Sequence, residues 1–243
     1  MPNYGGTVMF QRSALIVSLL SVAFLASSCG QTSASATVGK LEQAVLDAKA
    51  VTIDDVATLS GSTSTLAGVV GTSTTYVSLT TSPTGGTVRI LHVGNRFYVS
   101  GQPAALAALL GKTAASYAPL NGEAVALEAS DSPYKSLSLS LSLEGLVNPY
   151  LAKVPHLSKL LATASSPAST VLSGPWTTSG PTNGWKGLTS LRIDPDTSLP
   201  RSGLVELHHG KGIATRAAVF RAWGTEPNVT APTISVPFGS LPG

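Results

Sequence analysis

The sequence predicts an α+β fold, an antiparallel sheet carrying helices on one face. Three observations lead there. Period-two runs rich in β-branched residues recur along the chain. Short turns containing Gly, Asn or Asp join them, and short connections between strands mean antiparallel neighbours. Helical spacing is gathered near the start and in the middle, so the order is helix, meander, helices, meander, the segregation typical of α+β chains.

The first element precedes the fold. Arg12 is followed by an apolar run, Ala14 to Ala26, of about thirteen residues, and then by Ser27, Ser28 and Cys29. A charged start, a short apolar stretch and small residues before a cut are the layout of a secretory signal peptide over residues 1–28. The run is short of the ~18 residues of a spanning helix. Translation starts at Met1 or at Met9. Cys29 is the only cysteine in 243 residues, and an odd cysteine in an exported chain needs a reason. Ala26-Ser27-Ser28-Cys29 resembles the bacterial lipobox, which implies a diacylglycerol on the Cys29 thiol. One acyl chain anchors marginally and two anchor stably. The alternative is a buried free cysteine behind an ordinary signal peptide.

Composition narrows the classes. Charged residues are 11% and the net charge is +3; without Arg12 the remainder carries about +2. There is no Lys/Arg cluster, so nucleic acid is not an expected partner. Residues 29–243 suffice for one domain with a sizeable core.

Residues 29–37 are small and polar and read as a flexible tether. Thr37 is placed to cap a helix in which Val38, Leu41, Val45 and Leu46 form the apolar stripe. Strands follow at Val51 to Leu59 and Thr75 to Thr80, with Gly61 to Gly68 a loop or weak strand between them. Gly86 to Gly101 is a hairpin on Gly94-Asn95, with glycine supplying the positive φ of a type II′ turn. Apolar residues on both its faces predict cover on both sides. Pro103 to Leu110 is a helix started by proline and stopped by Gly111, and Glu123 to Glu128 is a strand. Leu137, Leu139, Leu141 and Leu143 alternate with serines, which argues strand, yet they lead into Leu146 to Leu161 at helical spacing; the block is open between the two. Pro149 and Pro155 are expected to break the helical part into pieces. Ser165 to Gly187 reads as a loop-rich crossing. Strands follow at Leu188 to Ile193, Gly203 to His208 and Ala214 to Trp223, and the tail from Thr230 is extended.

Several blocks resemble the actinobacterial LppX/LprG-type envelope lipoproteins, within the broader LolA-like fold: the lipobox running into the Val38 helix, Gly86 to Gly101, Leu199 to Glu206, and Ala218 to Gly224 leading to Pro232. The resemblance covers nearly all of residues 38–243, taken as one domain. It implies a curved, unclosed sheet, a half-barrel, with helices on its concave face and an apolar cavity between. Candidate cavity-lining residues are Leu41, Val45, Leu106, Leu110, Leu146 and Leu151. The implied partners are the membrane, through Cys29, an acylated lipid or lipoglycan, and an envelope transporter. The implied protein is a monomer, lipid-anchored on the outer face of the cell membrane, with no cofactor.

Motifs for other chemistries fail on spacing. Gly111-Lys112-Thr113 ends like a P-loop, but Leu106 stands where the earlier glycine belongs. Ser132 and Lys135 have the spacing of penicillin-recognising enzymes without their companion elements. His208 and His209 point to opposite faces of a strand, and Asp54 and Asp55 likewise, with a solvated edge expected for the carboxylates. The leading expectation is therefore a non-catalytic binding module; the rivals are a partner-binding lipoprotein with a filled core and an envelope hydrolase.

Overall fold

The computed structural model describes residues 33–83, 85–151, 163–164, 170–177 and 184–242. Cys29, the signal segment, Pro155 and the start of the tether lie outside the described residues.

Among the described residues twelve strands form one curved, unclosed sheet: β1 (Ala50–Leu59), β2 (Ser62–Gly71), β3 (Thr74–Ser82), β4 (Gly86–Val93), β5 (Arg96–Gly101), β6 (Ala124–Leu127), β7 (Thr163–Ala164), β8 (Thr170–Thr177), β9 (Lys186–Ile193), β10 (Pro200–His209), β11 (Gly212–Arg221) and β12 (Ser235–Pro237). Their order across the sheet is β12-β6-β5-β4-β3-β2-β1-β11-β10-β9-β8-β7. Every pairing is antiparallel except β12 on β6. Two meanders are joined at the centre by β1 and β11, the strands that open the first and end the second.

Period two in the sequence becomes rows of side chains across the sheet. One inner row runs Val236, Val125, Val99, Ile90, Val77, Gly68, Ile53, Phe220, each residue in register with the next. Val125, Val99, Ile90, Val77, Ile53 and Phe220 are all buried. Gly68 is required in that row: its φ is 144°, and a Cβ there would stand 2.2 Å from the Tyr76 carbonyl oxygen.

Helices cover this inner face. α1 (Ser33–Asp47) buries Val38, Leu41 and Val45. It begins ahead of the expected cap at Thr37, since Ser33 to Ala36 holds two alanines and no breaker. Leu46, expected in the stripe, is 64% exposed: the buried stripe is narrower than the apolar pattern and follows i, i+3, i+7. α2 (Pro103–Leu110) packs on β4 and β5 and ends at Gly111, φ 89°, as its proline and glycine predict. A short α3 (Ala114–Tyr117) is capped by Thr113, whose hydroxyl accepts from the Ser116 N–H.

The serine–leucine block is helical. α4 (Ser132–Ser140) buries Leu137 and exposes Leu139, while Leu141 is buried after its end; the i, i+4 pair wins over the alternation, and Pro133 starts the helix. Ser142 then separates α4 from α5 (Leu143–Leu151): its hydroxyl accepts from Gly145 N–H and donates to the Leu139 carbonyl. Pro149 lies inside α5 instead of breaking it. It sits in the last turn, where losing the bond to the Gly145 carbonyl is tolerated.

One further expectation is corrected and two are sharpened. Of Gly61 to Gly68, read as a loop or weak strand, Ser62 to Gly68 lie in a full strand, β2, whose serines and threonines alternate against β1 over ten paired positions. The loop-rich crossing contains β8, built on Thr170, Val171 and Leu172. Among the described residues β7 pairs only Thr170 and Val171, and Pro175 is paired on its β9 side alone, a place where a strand tolerates proline. The tail adds the parallel strand β12. The Gly94-Asn95 turn has Gly94 at φ 63° with Asn95 outside the positive region, consistent with type II′. Its hairpin is covered on one side: Val88, Ile90, Phe97 and Val99 are buried, while Leu91 and Tyr98 are only half-buried.

Candidate functional site

The residues expected to line a cavity all reach the space between sheet and helices, and they fill it. Leu41, Val45, Leu106, Leu110 and Leu146 are 0–4% exposed and belong to one hydrophobic cluster, with Leu151 half-buried against it. Side chains so enclosed border no water-sized void, so entry of a ligand needs a helix to move. They fall into two groups. Leu106 and Leu110 lie on α2 over β4 and β5, while Leu146 and Leu151 lie on α5 over β9 and β10, with α1 beside α5.

The cover thins on a second inner row: Leu172, Leu191, Gly203, Ala218, Asp55, Leu66, Leu79. Leu66 and Leu79 are half-buried. At the centre of this row the apolar surface is interrupted by a cluster whose members no sequence motif links. Asp55 is not at a solvated edge but 5% exposed on the inner face. Asp54, its neighbour, points outward and pairs with Arg221.

Three hydrogen bonds join Arg216 of β11 to the Asp55 carboxylate: Nε to Oδ1 at 3.2 Å, Nε to Oδ2 at 2.9 Å and an Nη to Oδ2 at 2.6 Å. The Tyr150 hydroxyl of α5 donates to Asp55 Oδ1 at 3.2 Å. Burial, with the Asp55 carboxylate beside it, pushes the phenol well above its ordinary value and keeps it neutral. Burial opposes the Arg216 charge, but Asp55 outweighs it and holds the guanidinium above its usual value. The guanidinium therefore keeps its charge, and the neutral phenol donates to the carboxylate.

The Tyr150 ring lies over Gly203, where a Cβ would stand 2.4 Å from Cδ1 and 2.6 Å from Cγ. It meets Phe220 edge-on at 6.0 Å, and the Arg216 guanidinium lies 5.7 Å from its centre. Thr189 Oγ1 donates to the Tyr150 carbonyl at 2.9 Å, satisfying an end group of α5. Gly203 and Ala218, the two smallest residues in the row, leave a trough two strand spacings long, about 10 Å. The phenol fills that trough, and its hydroxyl reaches the carboxylate at the far end.

Elsewhere the chemistry is sparse. A surface recess of about 270 Å³ is lined by Asn95, Arg96, Glu128, Ala129 and Ser130. Its Arg96–Glu128 pair at 2.6 Å is more than half exposed and screened by solvent. His208 bonds Glu206 on the outer face at 2.8 Å, while His209 stacks near Trp185, so the two histidines do diverge. Among the described residues no group of three His, Cys, Asp or Glu could hold a metal ion. No helix among them is long and apolar enough to cross a membrane.

No family profile matches the chain, and no curated protein does. Three solved structures follow a similar chain course. Mycobacterium tuberculosis lipoprotein LppX is 13% identical over 80% of this chain and 97% of its own, with a TM-score of 0.45. MucB in complex with MucA is 18% identical over 82% of this chain and 60% of its own, at 0.36. The Pseudomonas aeruginosa MucA/MucB complex is 18% identical over 81% and 59%, at 0.37. The chain spans about three-fifths of the length of the MucB chains. At these scores the fold rests on the strand order and register themselves.

Proposed function

We propose that the chain is an envelope lipoprotein, fastened through Cys29 to the outer face of a cell membrane. It binds the acyl part of a lipid or lipoglycan between sheet and helices, without covalent chemistry, and hands it to other envelope components such as a transporter. The observation that carries this is the inner face. Its apolar row crosses eight strands, about 34 Å at the usual strand spacing. One acyl chain fills half of the ~30 Å hydrocarbon core of a bilayer, about 15 Å. The row therefore has the length for a chain, and its cover is a set of short, separate helices rather than a second sheet. Each CH₂ moved there from water contributes ~0.8 kcal/mol, which is enough to offset the parting of a helix. The sequence resemblance of the lipobox, the hairpin and the final Trp-Gly strand supports the same reading.

The test is native mass spectrometry of the full chain purified from membranes, followed by titration with cis-parinaric acid. A bound lipid mass, or saturable uptake of the probe, is expected. Empty protein that takes up no probe would overturn the reading.

One observation favours a second reading, a partner-binding lipoprotein with a filled core. On the outer face Val56, Ala217 and Leu204 stand side by side across β1, β11 and β10, with Val219 and Leu188 close by, all exposed. Under the first reading Leu204→Glu leaves probe uptake unchanged.

A further inference from the structure

Among the described residues of the inner face, the Asp55–Arg216 pair stands in a field of apolar side chains, at the end of the trough over Gly203 and Ala218. Asp55 is 5% exposed, and its carboxylate accepts three hydrogen bonds from Arg216 and one from the Tyr150 hydroxyl. A buried ion pair is weak evidence for stability, since an apolar replacement of equal volume often serves as well or better. Its placement therefore calls for another account. The trough over Gly203 and Ala218 is shaped for a flat apolar body. Phe220 meets that body edge-on, Arg216 faces its ring, and Asp55 accepts a hydroxyl at its end. Every one of these features is satisfied at present by a single side chain of α5.

We propose that Tyr150 is a built-in occupant of a ligand slot, and that the amphiphile enters by displacing it. The ligand lays its apolar portion next to the head on Gly203, Ala218 and Phe220, and donates a head-group hydroxyl to Asp55, as the phenol does. The ligand class is a hydroxylated amphiphile, one bearing a glycerol or sugar head. Arg216 holds the Asp55 carboxylate in place through three hydrogen bonds, and so acts as a positioning residue. Displacing Tyr150 also frees the carbonyl that Thr189 holds, so α5 lifts at its C-terminal end, the side nearest the slot. This rests on the proposed binding of amphiphiles, and the experiment separates the two.

The first arm concerns the slot alone. Tyr150→Ala in the full chain leaves a void of phenol shape, and p-cresol is added to it. The thermal midpoint of the variant rises with p-cresol concentration, that of the wild type does not, and toluene, which lacks the hydroxyl, raises it less. No rise with p-cresol overturns the slot whatever the protein binds elsewhere. The second arm uses Tyr150→Phe, which keeps the ring and the packing, so the proposal stays testable if the alanine variant does not fold. The probes are a fluorescent long-chain monoacylglycerol and its di-O-methyl ether. Losing a hydrogen bond to a charged group loosens the occupant by a factor of about ten, and Tyr150→Phe binds the monoacylglycerol that much more tightly than wild type. Wild type prefers the free hydroxyls over the ether by a similar factor. Equal affinity of variant and wild type, or equal binding of the two probes, overturns the displacement while amphiphile binding itself stands. Binding of neither probe to either protein overturns both.

Discussion

Gly203→Ala isolates the contact on which the placement of α5 depends. The new Cβ would lie 2.4, 2.6 and 2.7 Å from three carbons of the Tyr150 ring, inside any real contact distance. The ring is held on its other sides by Phe220, Arg216 and the hydroxyl bond, so it has no free direction of retreat within the slot. Overpacking of this kind costs about 1–3 kcal/mol. If the ring swings out instead, the bond to the ionised carboxylate is lost, about 1.5–3 kcal/mol. Replacing a strand glycine by alanine returns roughly 0.5–1 kcal/mol of backbone entropy. The net expectation is a loss of about 0.5–2.5 kcal/mol, a fall of roughly 1–10 °C in thermal midpoint for a domain of this size. Urea unfolding measures the loss, and hydrogen exchange locates it in residues 143–151. The same substitution in a Tyr150→Ala background should cost under ~0.5 kcal/mol, because the added methyl then enters vacated space. A Gly203→Ala protein as stable as wild type, or a full cost that persists without the Tyr150 ring, would refute the packing described.

Other residues give independent checks. Ala222 holds φ 47°, a left-handed conformation that costs a side chain about 1–2 kcal/mol, so Ala222→Gly should raise stability by roughly 0.5–1 kcal/mol in denaturant titration. Thr113→Ala removes the cap of α3 and should lower stability by about 0.5–1 kcal/mol, with faster exchange at the Ser116 amide. Glu226 ties the β2–β3 turn to the segment after β11. It accepts from the Ser73 N–H at 2.9 Å and the Thr72 hydroxyl at 2.8 Å, and these bonds, the Ser73 N–H foremost, hold its carboxyl below the ordinary 4.5. A depressed carboxyl stabilises above its unfolded value and stops doing so as pH falls through the folded one. The stability gap between wild type and Glu226→Gln should therefore be present at pH 7 and close on acidification below about pH 4.5. A gap that is flat down to pH 2 contradicts that assignment.

Much of the fold was legible because burial repeats with the backbone period. Val88 and Ile90 against Phe97 and Val99 announce a hairpin, and Gly94-Asn95 gives its turn. Pro103 and Gly111 bracket α2 as their backbone preferences require. Where two periods fit the same letters, tertiary packing decided. The Ser/Leu block alternates like a strand, yet Leu137 and Leu141 are also four apart, and the core beside α5 selects that face. Residues 170–177 looked like loop because Gly174 and Pro175 hide the strand propensity of Thr170 to Leu172; an edge position accepts both. The candidate site was the least visible part. Six apolar residues were expected to line a cavity, and five of them are instead closed into the core, since which helix face meets which strand is not written in the local pattern. The Asp55–Arg216–Tyr150 cluster joins residues up to 161 apart in sequence, and no local pattern links them. One signal did exist: a lone acid at an inward position of a strand, Val51-Ile53-Asp55, is out of keeping with its neighbours and asks for a cation on an adjoining strand.

Covalent mapping with a diazirine fatty acid tests the central claim most directly. The full chain, held in detergent micelles with the photoprobe, is irradiated, and the labelled peptides are identified by mass spectrometry. Binding between sheet and helices places the adducts on inward residues such as Leu191, Val205 and Phe220, suppressed by excess unlabelled lipid. Adducts gathered on the outward Leu188, Leu204 and Val219, or labelling that excess lipid does not suppress, would contradict it.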